Sequence, residues 1–335
     1  MKAVFITRCD LSWYAPNGTP YRKALDVVSH HETTLCVSTT CRIPPEIESK
    51  AMSIVRFRSV FDLLRRGLSP TRRGLSLEIW GLSPAVLFTG FDFPCLAVAA
   101  VLKRRWGTSW TVFCWDPPSL SHRDRFPPLR WAIDCLFRWF VRRCDHLVLN
   151  IHPGLLREVG FSQAEIDAWC ASGRLELQMQ DAFADLTPEA LPPLAADDGA
   201  FDYDVGVLSN WSVAKGGPLV AAALRARPAL KCLWIGDPPR RTAGYPQITF
   251  AGRLGQPDAF AHLKKCRVLL MPYLPVRSLK WNYALKIFEY LQLGRPVLAS
   301  DNPGNAAVAS RFPGRVALFR SGDVADLAAS VENMV

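Results

Sequence analysis

Short apolar runs rich in Val, Leu, Ile and Phe alternate with longer stretches of helical period along most of the chain. A parallel sheet covered by helices on both faces has this pattern, and it predicts an α/β architecture. Residues 3–7, 34–38, 53–57, 85–89, 109–115 and 146–150 read as strands of a first unit. A helix is expected at Phe93–Trp106, closing at Gly107 with Lys103, Arg104 and Arg105 in its last turn. Cations suit that end of the helix dipole, and a glycine suits the left-handed exit. A second helix is expected from Leu129 to Arg143.

The rhythm breaks at Thr187–Gly199, where Pro188, Pro192, Pro193 and the pair Asp197 and Asp198 make a linker. It then restarts, with strands at 204–208, 230–235, 248–250, 268–271, 296–300 and 316–319 and helices near 217–227, 257–265, 284–293 and 323–334. At about 100–200 residues per domain, 335 residues fit two domains. The division expected is 1–186, a linker at 187–200, and 201–335. Two such Rossmann-like units place a ligand cleft between them, near the carboxyl ends of both sets of strands. No internal repeat at a fixed period is visible.

Neither end of the apolar scale changes this picture. Residues 3–7 are too short for a signal-peptide core and meet Arg8 and Asp10 at once. Residues 84–102, the only long apolar region, are interrupted by Gly90, Asp92 and Pro94, whereas a spanning helix needs about 20 continuous apolar residues. The ten cysteines are scattered, with no Cys-x-x-Cys and no zinc-type His/Cys cluster, which favours reduced, mostly buried thiols in a cytosolic protein.

The most informative stretch runs from Tyr283 to Ser300, YALKIFEYLQLGRPVLAS. Lys286 sits near the start of a helix whose free N–H groups already favour an anion, so it adds a point charge to a phosphate-ready site. Glu289 lies three residues on, on the same face, where a carboxylate can accept hydrogen bonds from ribose hydroxyls. Bare spacing equally allows a surface ion pair between the two.

This stretch resembles the donor-nucleotide motif of bacterial GT-B-fold glycosyltransferases, a Lys-x-x-Glu-Tyr helix followed by Gly-Lys/Arg-Pro-Val and a strand. Further pieces match in the family's order: Val205–Ser209 with Lys215 and Gly216, Leu233–Gly236, Ile248–Gly252, and Met271–Tyr273. The match covers most of residues 204–305 and is weaker before them. It implies two Rossmann-like domains facing across a cleft, with donor contacts at Lys286, Glu289, Tyr273, Leu285 and Lys215. Two departures matter. Many retaining members carry a glutamate eight positions before the one at Glu289, and here that position is Trp281; the arginine that often follows the glycine of the opening strand is Val207. The sequence drifts toward the inverting glucuronosyltransferase of xanthan-type exopolysaccharide assembly, with Tyr273 preceding Lys286 as in that subgroup. Whether transfer is retaining or inverting stays open.

An inverting reaction needs a general base for the acceptor hydroxyl. Asp116 is the candidate: it follows the strand 109–115, precedes Pro117 and Pro118, and aligns with the base of that subgroup. The plainer account is a turn residue before proline; Glu32, Asp92 and Asp124 are weaker substitutes. Tyr14, Asn17 and Gly18, in the loop after the first strand, are candidates for contact with acceptor or donor, or else form an ordinary Asn-Gly turn. Asp202 and Asp204 match an Asp-x-Asp metal pattern but open a strand, where polar residues are ordinary, so no metal is expected.

The net charge is +10, with 23 cations against 19 acids in residues 1–195 and 17 against 11 beyond. Neither half has the excess of a dedicated nucleic-acid binder, and no reading module is recognisable, so nucleic acid is not an expected partner. The second half's excess suits a diphosphate. Between residues 50 and 73, Lys50, Arg56, Arg58, Arg65, Arg66, Arg72 and Arg73 face Asp62 as the only acid, interleaved with apolar residues, which suits an anionic membrane surface. The second basic cluster, residues 123–143, interleaves arginines with Phe126, Trp131, Phe137, Trp139 and Phe140; either its aromatics lie in the core and its arginines on a solvated face, or it too meets a membrane surface. The resulting expectation is a metal-independent glycosyltransferase, moving a hexosyl or glucuronosyl group from a nucleotide-sugar, a UDP-sugar first, to a glycan or lipid-linked acceptor. Its place would be the inner face of the plasma membrane, as a peripheral protein of cell-surface or exopolysaccharide biosynthesis. The alternatives are a nucleotide-sugar epimerase of the same fold and a basic nucleic-acid-binding protein.

Overall fold

The computed structural model describes residues 1–12, 19–59, 62, 84–115, 127–179, 186–194 and 201–335. The chain divides into two compact units, Met1–Ala184 and Asp185–Val335.

The first unit holds strands β1 (Lys2–Thr7), β2 (Glu32–Ser38), β3 (Ser53–Phe57), β4 (Val86–Thr89), β5 (Ser109–Cys114), β6 (His146–Leu149) and β7 (Leu175–Leu177). They form one sheet of order β3-β2-β1-β4-β5-β6-β7, and every neighbouring pair is parallel. Five consecutive residues of β1 are buried, as a strand covered on both faces requires. Its helices are α1 (Thr19–His30), α2 (Pro45–Lys50), α3 (Phe93–Trp106), α4 (Pro127–Val141), α5 (Gly154–Glu158) and α6 (Gln163–Ala171). The pattern left α2, α5, α6 and β7 unmarked. Helix α3 starts where Asp92 accepts from the Cys95 N–H at 3.2 Å, and ends where the N–H of Gly107, at φ 66°, reaches the Lys103 carbonyl at 2.8 Å. Both ends are thus capped by the residues that chemistry favours.

The second unit holds β8 (Tyr203–Leu208), β9 (Cys232–Ile235), β10 (Ile248–Gly252), β11 (Cys266–Met271), β12 (Val297–Ser300) and β13 (Val316–Phe319). Their order is β10-β9-β8-β11-β12-β13, again all parallel. Helices α7 (Gly217–Arg225), α8 (Gln256–Leu263), α9 (Arg277–Lys280), α10 (Leu285–Gln292), α11 (Pro303–Arg311) and α12 (Val324–Met334) cover it. Strand order reverses between β8 and β11, so the loops leaving their carboxyl ends diverge and open a crevice there, the position where such sheets bind ligands. The same reversal occurs in the first unit between β1 and β4.

The stretch expected as a linker is only partly one. Its residues 187–194 pack with the second unit: Leu191 is buried, Arg311 donates to the Leu186 carbonyl at 2.9 Å, and a Cβ on Gly294 would stand 2.8 Å from the Pro193 carbonyl. Proline-rich spacing marked a break in periodicity; Leu191 anchors this stretch, while Pro188 and Pro193 stay exposed. Residues 195–200 lie outside the described residues. None of the ten cysteines, all among the described residues, is in a disulfide, and burial pushes the Cys36 and Cys144 thiols up to about 12.

Candidate donor site

The site is built on the loops that leave β8 and β11. Trp234 in β9 donates its indole N–H to the Ser209 carbonyl at 2.6 Å, fixing the chain as it leaves β8. The loop then runs to Lys215 and Gly216. Gly216 adopts φ 76°, and a Cβ there would lie 2.0 Å from the Pro272 carbonyl, so only glycine admits this approach of the two loops. The Leu274 N–H donates to the Ala214 carbonyl at 3.0 Å and completes the join. In this setting the Lys215 ammonium stands over the buried Tyr273 ring, 3.9 Å from its centroid.

Tyr273 is held from below by a buried polar network that sequence reasoning did not identify. Ser300 donates its hydroxyl to the Tyr273 carbonyl at 2.6 Å, Asn305 donates its side-chain amide to the Ser300 carbonyl at 2.9 Å, and the Asn305 N–H reaches the Asn302 side chain at 2.9 Å. Asn302 before Pro303 is a helix N-cap signature, which was the available signal; its link to Tyr273 was not readable from it.

Helix α10 carries the other predicted contacts. Ile287, Phe288, Tyr290 and Leu291 form its buried face, and the Tyr290 hydroxyl accepts the Leu208 N–H at 2.7 Å. That bond roots the helix at the carboxyl end of β8. Its first turn has no side-chain cap: Ala284 precedes Leu285, the Ile287 N–H turns back to the Ala284 carbonyl at 3.1 Å, and the Leu285 and Lys286 N–H groups are left available to an anion. Lys286 occupies the second helical position, and no hydrogen bond or ion pair engages it among the described residues. The alternative of a Lys286–Glu289 surface ion pair is therefore not what forms. Glu289 is half-buried instead and accepts from the Gln256 amide at 3.1 Å, at the first position of α8. Burial pushes its carboxyl above the ordinary range, while the Lys286 charge and the Gln256 hydrogen bond oppose that rise. A carboxyl group and a cation one turn apart can receive donors and anions at neighbouring points.

Trp281, at the position of the missing glutamate, is buried at 8% exposure with Lys280 4.5 Å from its ring. Asp202 and Asp204 sit at the opening end of β8, where Asp202 pairs with Lys265 at 3.5 Å and Asp204 accepts from the Lys231 N–H at 2.7 Å. Asp116, Tyr14, Asn17 and Gly18 lie outside the described residues, as does most of the basic segment 50–73. Of its described part, Arg56 donates to the Cys41 carbonyl at 2.8 Å and Lys50 faces Glu46 at 3.8 Å. Among the described residues no helix is long and apolar enough to cross a membrane.

Residues 212–335 match the family model of glycosyl transferases group 1. That likeness lies within the second unit. Solved structures extend the likeness to the fold of the whole chain. Anabaena HepE in complex with UDP aligns at TM-score 0.63 and 14% identity, covering 99% of this chain and 89% of that one. A glycosyltransferase from Rickettsia africae ESF-5 aligns at TM-score 0.60 and 10% identity, over 99% and 87%. A UDP-GlcNAc 2-epimerase from Neisseria meningitidis bound to UDP-GlcNAc aligns at 0.53 and 10%, over 100% and 91%. No curated protein matches by sequence. The chain therefore has the α/β GT-B fold, and an epimerase among its likenesses shows that the fold by itself does not choose the reaction. The functional argument therefore rests on the side chains at the β8/β11 crevice.

Proposed function

We propose that the chain moves a sugar from a nucleotide-sugar, a UDP-sugar, to a glycan or lipid-linked acceptor at the cytoplasmic membrane face, in cell-surface or exopolysaccharide biosynthesis. The observation that carries this reading is α10: an uncapped helix start with an unengaged Lys286, one turn from a half-buried Glu289. Lys286 and the first-turn N–H groups hold the diphosphate, Lys215 supplies a second cation, and Glu289 accepts from ribose hydroxyls. Likeness to structures solved with UDP supports the choice of base.

In the inverting course, Asp116 takes the acceptor's hydroxyl proton as that oxygen bonds to the anomeric carbon. The bond from that carbon to the diphosphate breaks, and the leaving oxygen's charge falls to the lysines. Calorimetry with UDP, GDP, ADP and TDP tests the donor reading: UDP binds preferentially, and Lys286→Ala and Glu289→Ala weaken it. Equal binding by both variants overturns the site. Asp116→Asn removes turnover and leaves UDP binding intact; undiminished turnover removes Asp116 from the base role. An epimerase would convert the nucleotide-sugar with no acceptor present, which product analysis detects.

A further inference from the structure

Helix α4 has two faces that differ sharply, one buried and one turned outward. Phe137 and Phe140 are buried, as the core reading of this cluster has it, but Trp131 is 69% exposed and Trp139 45%. Leu129 and Leu136 are also exposed, at 52% and 43%. Trp131, Cys135 and Trp139 follow one another at four-residue intervals, so they form a single outward row, with Leu136 beside it. Large side chains left in water cost stability unless something else covers them.

The exposed charges on the helix itself and its C-terminal end have one sign, with Glu165 and Asp145 as acids on neighbouring segments. Residues 127–143 contain Arg130, Arg138, Arg142 and Arg143, and their only acid, Asp134, is buried. Arg143 lies over the Trp139 ring, 3.7 Å from its centroid, and Arg138 donates to the Cys135 sulfur at 3.0 Å. Arg142 pairs with a carboxylate, Glu165 on α6, at 2.8 Å. Lys103 of α3 donates to the Arg143 carbonyl at 2.8 Å, which brings the exposed Arg104 and Arg105 to the same end of the layer.

We propose that this outward face of α4 docks on an anionic phospholipid surface. Indole rings and leucines enter the interface between headgroups and acyl chains, and the arginines at their rim meet the headgroup phosphates. A protein partner would need an acidic counter-surface and a dry interface, whereas a lipid surface supplies both elements without specific shape. The proposal deepens the functional reading above, since it names the surface by which the enzyme meets a membrane-held acceptor, and it shifts docking from segment 50–73 to α4.

The test is cosedimentation of the full chain with vesicles of phosphatidylcholine alone and of phosphatidylcholine with phosphatidylglycerol. The wild type partitions to the anionic vesicles and not to the neutral ones. Trp131→Ser/Trp139→Ser weakens partitioning about tenfold or more, and Arg138→Gln/Arg143→Gln does likewise. Trp131→Ser alone, at the most exposed position, keeps the measurement interpretable if the double variant folds poorly, and it lowers partitioning measurably. Three results overturn the proposal: no partitioning by the wild type, unchanged partitioning in the tryptophan variants, or a wild-type dimer in sedimentation that Trp131→Ser dissociates. Loss through Arg65→Ser/Arg66→Ser/Arg72→Ser/Arg73→Ser with the tryptophan variants unaffected also overturns it. Calorimetry with UDP is unchanged in every α4 variant, so a failure of UDP to bind the wild type strikes the functional reading and not this one.

Discussion

Lys215 and Tyr273 meet across the reversal of strand order in the second sheet, the ammonium 3.9 Å from the centre of a ring that is itself buried. The ring positions a cation at the crevice, where a diphosphate would be attracted. Such a contact is worth about 0.5–2 kcal/mol. Tyr273→Phe keeps the ring face and is expected to leave UDP affinity nearly unchanged. Tyr273→Leu removes it and is expected to weaken UDP about threefold to thirtyfold in calorimetry. Equal affinity in Phe and Leu variants would show that the ring does not position Lys215.

Tyr290 is fully buried in α10, and its hydroxyl accepts the Leu208 N–H. Tyr290→Phe leaves that donor with the full cost of an unmade bond, about 1–3 kcal/mol. Urea unfolding of the variant should show a midpoint lowered accordingly with an unchanged slope. A midpoint equal to the wild type's would mean that Leu208 finds another acceptor.

Gly216 is fixed by two independent constraints, its positive φ and the Pro272 carbonyl 2.0 Å from where a Cβ would stand. Gly216→Ala must separate the β8 and β11 loops, because the obstacle is backbone and cannot rotate away. The expected outcome is weaker UDP binding together with a lower melting temperature. Gly107→Ala is the control: it also has positive φ but no atom within 4 Å of the added Cβ, so it should cost stability through strain alone, about 1 kcal/mol, and spare UDP binding.

Local signals carried much of this architecture. The closing of α3 at Gly107 and the span of α10 were legible because each depends on residues within a few positions of one another. Lys286 and Glu289 were legible for the same reason, being one turn apart. Contacts between distant strands were not: Ser300 reaches the Tyr273 carbonyl from 27 residues away, and nothing in either segment announces it. The partners of Glu289 were likewise hidden, since Gln256 lies on another helix. Helix α4 shows a different limit. Its aromatics alternate between core and solvent within one helix, and composition records only that they are abundant.

Glu289 sets the last prediction, on pH. Burial raises its pKa in the folded protein, so between the unfolded and folded values the native state holds more protons than the unfolded one. The stability this contributes is present at acid pH and is lost as pH rises through that window. Ribose hydroxyls favour the ionised form, since they donate to it, so donor binding should release a proton there and strengthen as pH rises. UDP-glucose is the suitable probe, because its diphosphate has no secondary ionisation near neutrality. Its affinity should begin to fall on acidification above the ordinary carboxylate range, and calorimetry in buffers of different ionisation enthalpy should register the released proton. Glu289→Gln should bind about tenfold or more weakly and show no such slope, because an uncharged amide has no proton to release. The same slope in the Gln variant would place the titrating group elsewhere and leave Glu289 as a packing residue of α10.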